Sequence, residues 1–177
     1  MVEIRTHGRG GQGAVTAMEV LAKAAGMDGK YSQAFPHFGV ERRGAPVRAF
    51  CRISDKPITI RSQVYEPDYV MILDPTLSEL PEINDGLKDK SVVISNSKER
   101  PRFEQMAHNY DATSLALEVL GRDIVNTAML GVFAKITGIV SLESILKIMD
   151  DRFSGKVAEL NKQLVKRAYD ETKGGIK

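Results

Sequence analysis

The residues His7 to Gly13, HGRGGQG, hold four glycines, an arginine and a glutamine between a short apolar stretch and an alanine-rich one. Gly8, Gly10 and Gly13 satisfy G-x-G-x-x-G, with the preceding strand and following helix that a phosphate-accepting turn requires. Glycine admits positive φ and close approach, while the free amides and positive dipole at a helix N-terminus attract an anion. Gly8, Arg9, Gly10, Gly11, Gln12 and Gly13 are therefore candidate anion-binding residues. The other reading is a tight turn that lets strand and helix pack.

A dinucleotide site also needs an acidic residue about 20 positions on, at the end of the second strand, to bond a ribose hydroxyl. That strand ends near Phe35 and Pro36, and Asp28 falls in the turn before it, so no acid is placed to read a nicotinamide cofactor. The G-K-[ST] ending of a triphosphate loop is absent too, which argues against ATP or GTP chemistry.

Arg42 and Arg43, in ERRGAP, are the second candidate, because a guanidinium fork matches phosphate or carboxylate in two-point hydrogen bonds. The alternative is pairing with Glu41 or another carboxylate. Arg48, Arg52 and Arg61 either extend this positive surface or are simply solvated or paired across an interface. His7, His37 and His108 are scattered without metal-ligand spacing and read as structural. Cys51, the only cysteine, lies on the apolar side of a predicted strand, where a thiol is inert. It excludes an internal disulfide and any cysteine-ligated zinc or iron–sulfur site made by this chain alone. With no G-x-S-x-G elbow either, the chain lacks a reaction centre of its own.

The elements that must position these residues alternate at first. Strands are predicted at Val2 to Thr6, Tyr31 to Phe35, Tyr69 to Leu73, Ser91 to Ile94 and Tyr110 to Ala112. Helices are predicted at Gly13 to Ala25 and Leu115 to Leu120. Val47 to Ile53 alternates, with Val47, Ala49, Cys51 and Ile53 opposite Arg48, Phe50 and Arg52, and Ile58 to Arg61 resumes the alternation after SDKP. The pair reads as an antiparallel hairpin with a basic outer face. YVMIL and SVVI are continuous apolar runs with polar residues at their C-terminal ends, as in strands covered on both faces. After Asp123 only helices follow: Asn126 to Thr137, apolar almost all round, then Ser141 to Phe153 and Lys156 to Thr172. Together these predict an α/β fold with a mostly parallel, Rossmann-like sheet flanked by helices, an antiparallel hairpin and a helical C-terminal portion.

At 177 residues and 19.5 kDa, without a repeat or linker, the chain reads as one domain over residues 1–177. Its 25 basic and 23 acidic residues leave a net charge of +2, too small to argue for nucleic acid or an anionic membrane. No apolar run reaches about 18 residues and the N-terminus has no signal-peptide pattern, so a cytoplasmic location is expected.

In order and spacing, HGRGGQGAVTAMEVLAKAA, YSQAFPHFGVERRGAPVRAF, ITIRSQVYEPDYVMILDPTL and NTAMLGVFAKITGIV resemble the gamma subunit of the 2-oxoacid:ferredoxin oxidoreductases. The likeness covers nearly the whole chain and is closest to the pyruvate and ketoisovalerate members, with FPHFGVERRGAPV nearer the pyruvate than the 2-oxoglutarate type. It implies oxidation of pyruvate with coenzyme A and ferredoxin to acetyl-CoA, carbon dioxide and reduced ferredoxin, or the reverse. It also implies alpha, beta and delta partner subunits that carry thiamine diphosphate, Mg2+ and [4Fe-4S] clusters, with ferredoxin reached through the complex. By the same resemblance Gly8 to Gly13 face coenzyme A phosphates or a neighbouring subunit; Gln33, Phe35 and Phe38 either shape the same loop as Arg42 and Arg43 or, the favoured reading, simply pack. The isolated chain is then expected to be inactive. An independent nucleotide-binding oxidoreductase and a purely structural module are the competing readings.

Overall fold

The computed structural model of the chain describes residues 1–37 and 43–175. Six strands form one sheet: β1 (Val2–Arg9), β2 (Tyr31–Pro36), β3 (Pro46–Ser54), β4 (Tyr69–Ile72), β5 (Val92–Asn96) and β6 (Met106–Tyr110). Their order is β2-β3-β1-β4-β5-β6. β1, β4, β5 and β6 run parallel, whereas β3 lies antiparallel to both β1 and β2. The mostly parallel α/β sheet read from the sequence is the one observed.

One face of the sheet is thick. Ile4, Ala49, Cys51, Met71 and Ile94 point into a core shared with α1 (Ala14–Met27) and α4 (Asn126–Thr137). The helices α3 (Ala112–Leu120), α5 (Leu142–Arg152) and α6 (Gly155–Glu171) complete this layer. Because α4 is apolar nearly all round, it must be enclosed, and Met129, Leu130, Val132 and Phe133 are fully buried within the chain itself. Gly131 makes that enclosure possible: a Cβ there would collide with the Val165 carbonyl of α6. Asp28, in the turn after α1, accepts bonds from the Ser141 amide at 2.7 Å and from the hydroxyls of Ser141 and Ser144 at 2.7 and 2.6 Å. Its carboxylate thus closes the N-terminus of α5, far from any ribose-reading position.

The opposite face is covered thinly. Over β4 and β5 a small cluster forms from Val70, Ile72 and Val93 with Ile83 of α2 (Pro81–Asn84) and Leu77 of a 3-10 turn (Pro75–Leu77), neither of which the sequence pattern predicted. Over β1 and β3 the same face presents Arg5, His7, Phe50 and Arg52, all buried.

That burial corrects the predicted basic hairpin. Residues 57–61 form no strand, and β3 pairs with β2 and β1 instead. Arg52, expected on a solvated face, is 1 % exposed. Its Nε donates to Glu3 Oε1 at 2.7 Å, and its Nη1 and Nη2 donate to the carbonyls of Ser62 and Gln63 at 2.7 and 3.0 Å. The guanidinium also lies 5.3 Å from the Phe35 ring centre. The carbonyls of Ser62 and Gln63 are therefore satisfied by a side chain, not by a ladder. Arg5 acts likewise, donating to the Ile83 carbonyl at 2.9 Å. Arg61 stays exposed and Arg48 is half-buried. A second correction concerns β6, which ends at Tyr110, leaving Asp111 to cap α3 by accepting from the Ser114 amide at 3.0 Å. Among the described residues, no helix is long and apolar enough to cross a membrane.

Replacing Arg52 by methionine would leave Glu3 and two inward carbonyls without their donor. The expected cost is about 3 kcal/mol, the scale for breaking a buried charged network. Urea unfolding of the two chains measures it, and a difference below about 0.5 kcal/mol would show that Arg52 does not hold the 62–63 segment.

Candidate functional site

In an open α/β sheet, ligands bind outside the C-terminal ends of the strands, where the chain reverses the direction in which it adds them. Here that point lies between β1 and β4: α1 carries the chain to β2 and β3 on one side of β1, and β4 follows on the other. The glycine turn sits at this place.

Its geometry is fixed by side chains at the end of β4. Asp74 Oδ2 accepts from Arg9 Nε at 3.0 Å and from Gln12 Nε2 at 3.1 Å. Asp74 Oδ1 accepts from the amide and hydroxyl of Thr76 at 3.0 and 2.6 Å. Gln12 Oε1 in turn accepts from the Arg9 amide at 2.7 Å, closing the turn on itself. The remaining Arg9 donors reach the Gly44 carbonyl at 3.1 Å and Thr76 Oγ1 at 2.8 Å. Partial burial pushes the Asp74 carboxyl up, but the bonds from Thr76 and Gln12 and the Arg9 charge outweigh it and hold the group below its usual range.

Gly11 and Gly13 adopt φ of 98° and 77°, values that L side chains resist. Gly13 is doubly constrained, since a Cβ there would also strike the Asn126 side-chain amide. Past Gly13, α1 begins with no side-chain cap and no acidic residue in its first turn. Its first amides are the unpaired donors of a helix N-terminus, with the positive end of the dipole behind them.

The second candidate comes to the same place. Gly10 bridges to Arg43, the Gly10 amide donates to the Ala45 carbonyl at 2.8 Å, and the Gly44 amide donates to the Gly10 carbonyl at 3.0 Å. Arg43 is exposed beside the turn. Arg42 and Phe38 lie outside the described residues. Arg48, half-buried on β3, has its Nη2 3.0 Å from His37 Nε2, so it braces the start of the loop. Gln33 spends its amide on the Ile60 carbonyl at 2.9 Å, and Phe35 packs on Phe50 with ring centres 5.3 Å apart.

Three residues of this region escaped the sequence reading. Asp74 and Asn96 each end an apolar parallel strand, a position whose polarity was the available signal. Asn96 Nδ2 donates to the Leu73 carbonyl at 2.9 Å and to Thr113 Oγ1 at 3.0 Å, tying β4 to α3. Asn126 left no signal, because its place beside Gly13 depends on how α4 packs. Its Nδ2 lies 3.3 Å from the Gly13 carbonyl, while its buried Oδ1 has no partner among the described residues. Asn126 also lines a cleft of about 480 Å³ with Thr16, Arg122, Arg152, Phe153 and Leu160. The cleft joins an apolar wall to Arg122 and to Arg152, whose Nη1 lies 3.2 Å from Glu19 Oε2 and whose Nη2 donates to Thr16 Oγ1 at 3.2 Å.

Cys51 is buried, and burial pushes its thiol well above the ordinary range. His108 lies on β6 at the far edge of the sheet, away from the turn. His7 lies just under the turn, and its Nε2 has no partner among the described residues.

A family model described as pyruvate ferredoxin/flavodoxin oxidoreductase matches residues 3–171. The chain is 58 % identical over 172 residues to pyruvate synthase subunit PorC of Methanothermobacter thermautotrophicus, covering 97 % of this chain and 96 % of that one. It is 51 % identical over 183 residues to the common gamma subunit of the pyruvate/ketoisovalerate oxidoreductases of Pyrococcus furiosus, covering 97 % of each. The crystal structure of pyruvate oxidoreductase subunit PORC from Thermotoga maritima superposes with a TM-score of 0.87 at 40 % identity, over 97 % of each chain.

Burial, with the charges of Arg5 and Arg48, pushes the His7 imidazole down to about 3. Its unfolded value is about 6.5. Between these values the unfolded chain binds a proton that the folded chain refuses, so stability falls as pH drops below about 6.5, by roughly 1.4 kcal/mol per pH unit. In His7→Gln that contribution should be missing. Urea unfolding of both chains at pH 7, 6 and 5 checks it, and parallel pH profiles would mean that His7 protonates freely in the fold.

Proposed function

This chain belongs to the pyruvate ferredoxin/flavodoxin oxidoreductase family, as a gamma-type subunit, and we propose that its residues 1–177 act as one domain that contacts coenzyme A within that enzyme. The reaction is that of a pyruvate synthase in the cytoplasm: a 2-oxoacid, here pyruvate, and coenzyme A give acyl-CoA and carbon dioxide as ferredoxin is reduced, or the reverse. Alpha, beta and delta subunits are its partners.

The thiamine diphosphate, Mg2+ and [4Fe-4S] clusters of such an enzyme belong to those partners. A cubane cluster takes four cysteine thiolates, and this chain has one cysteine, enclosed in β3. The residues present do not fit that group, so no electron-transfer step runs through them.

One observation carries the coenzyme A reading: the uncapped first turn of α1 opens beside Arg43 at the switch point of the sheet. Coenzyme A brings phosphates to such a place. The amides after Gly13 donate to a phosphate oxygen, and Arg43, with Arg42 before it, supplies paired donors and charge. Gly8, Gly10, Gly11 and Gly13 let the backbone come close. Arg9 and Gln12, whose side chains are spent on the turn, shape it. The apolar wall of the neighbouring cleft, from Leu120 to Leu160, takes the uncharged part of the ligand. Among the described residues, the cleft is lined by Arg122 and Arg152 and by no acidic side chain, with Arg152 paired to Glu19 just outside it. Asp28, the nearest acid for a ribose-reading role, is engaged at α5, which weighs against a nicotinamide dinucleotide.

In the reconstituted complex, Arg42→Ala/Arg43→Ala should raise the KM for coenzyme A by about 10- to 100-fold. That corresponds to roughly 1.4–2.8 kcal/mol, the range of charge-assisted hydrogen bonds. The KM for pyruvate and kcat should hold. An unchanged KM for coenzyme A would leave this chain an interface module only.

A further inference from the structure

We propose that Asp74 is the positioning residue of the coenzyme A contact, holding the glycine turn and the Arg43 segment in one arrangement; this rests on the function proposed above. Asp74 stands just past the end of β4, at the start of the 3-10 turn, outside both sequence stretches that form the candidate anion site. It is nonetheless where their side-chain links meet. Through Gln12 it sets the glycine turn, because the Gln12 amide donates to Asp74 while its oxygen accepts from the Arg9 amide. Through Arg9 it sets the other half, because the guanidinium bonded to Asp74 also donates to the Gly44 carbonyl, one residue beyond Arg43.

A carboxylate beside an anion site opposes binding unless its charge is already spent. Asp74 meets that condition. One oxygen takes Arg9 and Gln12, the other takes the amide and hydroxyl of Thr76, and the side chain is 14 % exposed. Asp74 therefore does not face the ligand. Its charge is neutralised by Arg9, and that pairing orients a fork whose other arms reach Gly44 and Thr76. Arg43 and the amides after Gly13 belong to different segments; the backbone bonds of Gly10 to Gly44 and Ala45 join them, and the Asp74 bonding fixes the arrangement of the turn on that junction.

The test uses the reconstituted complex with four forms of this subunit: Asp74→Asn, Arg9→Lys, the double variant, and Arg43→Ala. An asparagine at 74 turns a donor toward Arg9 or Gln12. A lysine at 9 keeps the charge but loses the fork. Asp74→Asn and Arg9→Lys should each raise the KM for coenzyme A about 10-fold, leaving kcat and the KM for pyruvate within twofold. The double variant should be no worse than either single one, since both break one linkage. Hydrogen exchange at the Gly10 and Gly44 amides should quicken in both single variants.

If Arg43→Ala raises the KM for coenzyme A while Asp74→Asn and Arg9→Lys do not, the positioning role is overturned and the coenzyme A contact stands. If no variant changes it, the contact itself fails. A fall in kcat and a rise in both KM values together would mark a general structural role and overturn the proposal. Should Asp74→Asn not assemble, Arg9→Lys decides, and failure of both to assemble would assign Asp74 to folding instead of placement.

Discussion

The ion pair between Arg9 and Asp74 joins the ends of two parallel neighbours, β1 and β4, at the point where the chain switches sides of its sheet. Elsewhere on the sheet the ladder bonds do this joining. Beyond the last paired residues the backbone diverges, and a crevice opens that water or a ligand would otherwise fill. One carboxylate collects the donors of Arg9, Gln12 and Thr76, which gives an otherwise loose glycine-rich turn a single conformation. Chain flexibility from four glycines costs conformational entropy on ordering, and the shared acceptor offsets part of it.

A similar device covers the thin face of the sheet. Helices cover the opposite face in the manner of an α/β fold, but over β1 and β3 the cover is irregular chain. Such a segment can lie on a buried surface only if its carbonyls find donors. Arg52 supplies two to residues 62 and 63 of that chain, and Arg5 supplies one to Ile83 in the short helix α2. Arginine suits this role because its planar fork presents several donors in fixed directions and keeps its charge under burial. Burial and the nearby Arg48 charge do push Arg5 down, to about 10, yet it is still cationic at neutral pH. Burial, with the charges of Arg5 and Arg48, keeps the His7 imidazole neutral beneath the turn.

Membership of the oxidoreductase family and the geometry of the turn point the same way. With one enclosed cysteine, this chain lacks the four thiolates that an iron–sulfur cluster takes. Arg43 lies exposed beside the glycine turn that leads into α1, and the neighbouring cleft has an apolar wall.

The local pattern alone determined much of this. Continuous apolar runs in β4 and β5 announced strands buried on both faces, and an all-round apolar segment announced an enclosed α4, because side chains of those kinds have no stable place in water. The glycine spacing announced the turn, since positive φ is a property of single residues. Tertiary structure alone decided the partners. Whether Arg52 was solvated depended on residues 62 and 63 crossing it, and whether Asp28 read a ribose depended on α5 arriving 113 residues later. Asp74 and Asn126 meet the turn across 62 and 113 residues respectively. Hydrophobic burial repeats along a chain with the period of its element and can be read locally, whereas a hydrogen bond between distant side chains exists only once packing has brought both ends within about 3 Å.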